Sequence, residues 1–136
     1  MQTFKLVKPR HPVGDGAERG SVTLQTVIAL PVVILFTFGI VQAAFWMNAQ
    51  NMAQAAASSA YSAAKAYNAG NSAGEAAANK IIATSSDLKG ASVQINRGPT
   101  SVSVTVTGTT NSPIPGWGGP GVKATVSGPT ERWVSP

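Results

Sequence analysis

Catalysis needs side chains that exchange protons, attack a substrate or hold a metal, and this sequence offers few. His11 is the only histidine, and there is no cysteine. A disulfide framework and a thiolate metal site are therefore excluded. The acids beyond the long apolar run are Glu75, Asp87 and Glu131, and none has a partner at motif spacing. Serines and threonines are numerous, but such a nucleophile needs a neighbouring base. No histidine follows His11, and nothing in the sequence places a Ser–Lys pair. No zinc, P-loop or dinucleotide pattern is present. The residues name no catalytic, cofactor-binding or metal site and speak against an enzyme. Structural and binding roles remain.

Charge narrows the choice further. Of 136 residues only 11% are charged, and the net charge is +5. That fraction is low for a soluble globular protein. No two Lys or Arg residues are adjacent and no basic stripe forms, so no nucleic-acid partner is expected.

The element that must position everything else is an apolar run. No charge occurs between Arg19 and Lys65. Residues 26–46, with Thr26 and Trp46 at their ends, carry Gln42 as their only strongly polar side chain. As a helix this run is about 31 Å long at roughly 1.5 Å per residue, which matches a hydrocarbon core of about 30 Å. The rest of the chain is too small and polar to bury such a helix, so a lipid bilayer is the expected partner. Lys5, Lys8, Arg10 and Arg19 outnumber Asp15 and Glu18 ahead of it. A positive flank favours the cytoplasmic side. The expected topology is a single pass through the cytoplasmic membrane, N-terminus inside and C-terminus outside. A secretory signal peptide has a shorter apolar core followed by a small-residue cleavage site. Here the run is full length, and alanine-rich helix continues through Gln42, Ala43 and Ala44.

Residues 1–20 are polar and contain Pro9, Pro12, Gly14 and Gly16, a composition that predicts disorder. The distinctive small residue is Gly20, between Arg19 and the apolar run. Arg19–Gly20–Ser21, then an apolar stretch to Leu30 and Pro31, resembles the start of a TadE-like minor pilin or pseudopilin. That family belongs to the tight-adherence (Tad, or Flp) branch of type IV pili. The resemblance implies cleavage between Gly20 and Ser21 by a prepilin peptidase, which would remove the leader and His11 and retain the apolar segment. It implies other pilin subunits and the Tad assembly machinery as partners, and a cell-surface pilus as the destination. Adhesion, DNA uptake and secretion all use such subunits. Pilins usually carry Glu at the fifth mature position; here that position is Gln25. A glutamine cannot neutralise the free amine of a neighbouring subunit. The departure suits a minor subunit better than a bulk one, or an amide that simply lies at the membrane interface. The competing reading needs no cleavage: a permanently anchored binding or scaffolding module.

Three zones follow: a leader over residues 1–20, a transmembrane and extended helix over 21–69, and an extracytoplasmic α+β head over 70–136. Pro31 removes one helix hydrogen bond and crowds the carbonyl of Val27, so a modest kink is expected there. Phe45 and Trp46 suit the outer interface. Ala49, Ala53, Ala57, Ala60 and Ala64 place small residues where helices approach closely. They serve either packing on the chain's own head, which carries more weight, or a seam between subunits. The helix should end near residues 68–70. Ser72 and Glu75 then read as a capping box for a short helix over residues 73–83, with residues 84–90 as a connection.

After residue 90 the period becomes two. Val93 and Ile95, then Val102, Val104 and Val106, then Val122, Ala124 and Val126 alternate with polar residues. This predicts a three-stranded antiparallel sheet with one face against a helix. The turn at residues 97–100 joins the first two strands. The Gly/Pro-rich loop over residues 111–121 is expected to fold Trp117 back onto the core; a partner-contact loop is the alternative. Trp133 is expected to pack on the head or dip toward the bilayer. Glu131–Arg132–Trp133 resembles a short motif near the end of TadE-like proteins.

Overall fold

The computed structural model describes Val7 and residues 16–132. The expectation of disorder for the rest of the leader, and the readings of His11 and Trp133, lie outside these residues. The chain divides into two compact units, residues 1–36 and 37–136. The element order is α1 (Gly16–Lys65), α2 (Asn71–Ile82), β1 (Leu88–Arg97), β2 (Ser101–Thr110) and β3 (Gly121–Pro129). The fold class is α+β, as expected.

Apart from Val7, the described part of the first unit is helix. Gly16 to Gly20, expected to be disordered, belong to α1. Once an apolar run has nucleated a helix, adding a residue costs far less than starting one. Ala17, Glu18 and Arg19 are good formers. Helix is also retained through Pro31. In the first turns Thr26 Oγ1 donates to the Val22 carbonyl at 2.9 Å.

In the second unit the sheet has the order β1-β2-β3, with both pairs antiparallel. Val102, Val104 and Val106 are fully buried on one face of β2, with Val122 and Ala124 beside them on β3. The other face carries threonines and serines, and Thr105 and Thr125 share a 3.2 Å hydroxyl contact across the strands. A one-sided antiparallel sheet needs a cover for its apolar face. That cover is α1: Ala49, Ala53, Ala56, Ala57, Ala60 and Ala64 are all fully buried and share the core with the valines. The alanine seam is therefore engaged by the chain's own sheet.

The two ends of α2 depart from expectation. The helix begins at Asn71 with Gly70 as its cap, and no side chain makes a capping bond. Ser72 and Glu75 thus form no capping box. The physical reason lies one residue earlier, where Asn71 Nδ2 donates to the Ile95 carbonyl at 3.3 Å and ties the helix start to β1. At its other end the helix stops at Ile82, and β1 starts at Leu88, inside the expected connection. α1 stops at Lys65, earlier than residues 68–70, and Asn68 takes the left-handed turn conformation at φ 62°.

Candidate functional site

Two surfaces concern function: the exposed apolar part of α1, and the end of the second unit where α1 meets the β2–β3 loop. Among the described residues no group of three or more His, Cys, Asp or Glu side chains could hold a metal. Two of the acids, Asp87 and Glu131, are occupied structurally. Asp87 accepts from Asn48 Nδ2. Glu131 lies 3.2 Å from Lys65 Nζ, and its backbone N–H donates to the Lys65 carbonyl at 3.0 Å. An exposed ion pair of this kind contributes about 0–1 kcal/mol. Glu131→Gln is therefore expected to leave the denaturation midpoint almost unchanged, at low and high salt alike; a large loss would mean that the pair is a principal clamp.

From Val22 onward α1 is long and apolar enough to cross a membrane, and its most apolar 18-residue window is not buried at all. Leu35, Phe36 and Ile40 are each about 70% exposed. Water would oppose such a surface at roughly 25 cal/mol per Å²; a bilayer or other apolar helices would not. Gly20 is exposed and helical, and a Cβ there would meet open space. Gln25 is exposed within the same helix.

The head is tied to α1 by side-chain amides whose partners the sequence does not reveal. Gln42 Nε2 donates to the Asn111 carbonyl at 3.3 Å. Gln50 Nε2 donates to the Lys123 carbonyl at 2.9 Å. Asn111 uses its own side chain on the Ser86 carbonyl at 2.9 Å, and its N–H on the Asp87 carbonyl at 3.2 Å. These bonds gather the end of β2, the start of β1 and the start of β3 around residues 42–50. The opposite end is fastened by Tyr61 Oη to the Pro129 carbonyl at 3.2 Å and by Arg97 to the Ala66 carbonyl at 3.4 Å. The signal available in sequence was polarity out of place: Gln42, Asn48 and Gln50 interrupt an apolar and alanine-rich helix.

Trp117 does not fold back on the core. It is 52% exposed, with Ile114 beside it at 42%. The loop has its own internal structure: Trp117 N–H donates to the Ile114 carbonyl at 3.2 Å, and Gly116 takes φ 79° between them. That angle suits glycine because it has no Cβ to clash. Thr110 N–H bonds the Pro120 carbonyl at 3.1 Å and closes the loop's base. The small core is formed by valines, alanines and Leu88, without the indole.

A family model described as TadE-like protein matches residues 20–60. The match begins at Gly20 and includes the apolar stretch to Pro31; Arg19 and residues 131–133 lie outside it. No curated protein and no solved structure matches the chain.

Proposed function

We propose that this chain, TadE-like over residues 20–60, is a minor pilin of a tight-adherence pilus: a structural subunit and not an enzyme. The observation that carries the reading is the coincidence of that match with a helix whose apolar side chains are left uncovered. The sequence of events follows from the physics. α1 inserts with its positive flank in the cytoplasm. A prepilin peptidase cuts after Gly20 and frees the amine of Ser21, while the apolar helix stays in the membrane. The assembly machinery then withdraws the subunit, and helices of other pilin subunits replace lipid around the exposed apolar surface. Gln25, one turn beyond Ser21, offers an amide where the usual carboxylate would neutralise a free amine. A charge left unpaired in lipid is costly, so this subunit suits a few copies per pilus. Gln25 is also what favours the second reading, a permanently anchored binding module with an extracytoplasmic head.

The test is the intact mass of membrane-extracted protein from cells with and without the prepilin peptidase, wild type beside Gly20→Ala. The expected wild-type product begins at Ser21 only when the peptidase is present, and Gly20→Ala retains its leader. A leader retained by the wild type in every strain would overturn the pilin reading in favour of the anchored module.

A further inference from the structure

Resting on the membrane reading above, we propose that the β2–β3 loop is a second, peripheral membrane contact. It would seat Ile114 and Trp117 in the headgroup region of the bilayer that α1 crosses. The first support is where the loop starts and ends. Asn111, at its first residue, is bonded to Gln42, and Lys123, just past its last, is bonded to Gln50. The loop therefore leaves the sheet at the end of the second unit that carries residues 37–47 of α1. Those residues present their own exposed apolar surface: Phe38, Ile40, Trp46 and Met47.

The second support is chemistry. Residues 98–122 contain no charged side chain, so insertion of the loop tip desolvates no ion. Tryptophan is enriched at membrane interfaces, where its ring meets apolar chains and its N–H meets headgroups. Pro113, Pro115 and the hydrogen-bonded turn at Ile114–Trp117 already order the backbone. Presenting the indole therefore costs little conformational entropy. Lys89 and Lys123 lie exposed on the strands that flank the loop base, where they can meet anionic headgroups.

The third support is the amide of Gln42. Its Nε2 bonds the head, and its Oε1 is buried without a partner among the described residues. A head segment docked at Gln42 needs the hydrocarbon to end before it. Residues 22–41 are then the span, about 30 Å at roughly 1.5 Å per residue. The outer edge moves inward from Trp46 to about Val41. That brings the loop to the interface and leaves Trp46 just above it.

The experiment uses the full chain in vesicles of phosphatidylcholine and phosphatidylglycerol, with brominated lipids as quenchers. One variant keeps Trp117 alone by Trp46→Phe and Trp133→Phe. A second carries Leu35→Trp as its only tryptophan and reports the span. Trp117 emission should be blue-shifted and lose most of its intensity to bromine near the headgroups, and little to bromine near the chain ends. Leu35→Trp should show the opposite preference. Trp117 emission that lipid bromine leaves unchanged overturns the loop proposal, whether the ring proves open to aqueous iodide or shielded by protein. If Leu35→Trp is also unquenched, the membrane reading itself has failed.

Discussion

Ala60→Leu is expected to lower the stability of the second unit by about 1–3 kcal/mol, the usual cost of forcing extra carbons into a filled core. Ala55→Leu, the same change on an exposed position of α1, should alter it by no more than about 0.5 kcal/mol. The contrast tests the alanine seam directly. Ala60 is fully buried in the core shared with Val102, Val104 and Val106. Its carbonyl oxygen would lie only 3.0 Å from a Cβ added at Gly74. Leucine there has to push the sheet or α2 away from α1. Against a typical domain stability of about 5–15 kcal/mol, the loss is large. Denaturant melts of the full chain in detergent, followed by hydrogen exchange of the β2 amides, would measure it. Equal stability of the two variants would mean that the seam is not packed on the head and is free for other subunits.

Gly74→Val should cost about as much, roughly 1–3 kcal/mol, for a different reason. A Cβ at Gly74 would stand 2.6 Å from Ile95 Cδ1, 3.0 Å from the Ala60 carbonyl and 3.1 Å from Ala64 Cβ. The isoleucine end can rotate aside; the α1 backbone cannot. Gly74→Ala isolates that term, because alanine also contributes up to about 1 kcal/mol of helix propensity over glycine. It should therefore sit between wild type and valine in the same melts. The pair Ala60→Leu with Gly74→Val should cost less than the sum of the singles, since one outward shift of α2 relieves both contacts. Strict additivity would show that the two sites do not share that space.

The core strands were legible because β2 and β3 alternate without interruption: Val102, Val104 and Val106 face Val126, Ala124 and their neighbours. β1 hid its beginning. Leu88 and Val93 stand an odd number of residues apart, so plain alternation puts them on opposite faces. The structure places Gly90 and Ala91 together against Gly108, a bulge with Gly90 at φ 57°. One extra residue brings Leu88 back to the core face, and a period-two reading stops short of it. The false capping box at Ser72 and Glu75 failed for a related reason. A local pattern lost to a tertiary bond, here from Asn71 to Ile95. The exposed helix was legible from hydropathy alone. The amides that fasten the head to it were not, because Gln42 and Asn111 are 69 positions apart. Trp117 was misread because a large aromatic is normally worth more buried, and the sequence did not show that the core forms from smaller residues without it.

The fastening of α1 to β3 also sets a timetable. Gln50 and Tyr61 are synthesised early, yet their acceptors are the carbonyls of Lys123 and Pro129, in the last strand. Lys65 likewise waits for Glu131. Contacts so distant along the chain form slowly, because a long loop must close before they stabilise anything. In the reading above, the part of the second unit beyond Val41 has to cross the bilayer first. Its alanine face then stands uncovered while the sheet is still being delivered, and closes only when the final strand has emerged on the far side. Folding of the second unit would thus be gated by β3, well away from the Gly20–Ser21 bond at which processing is expected.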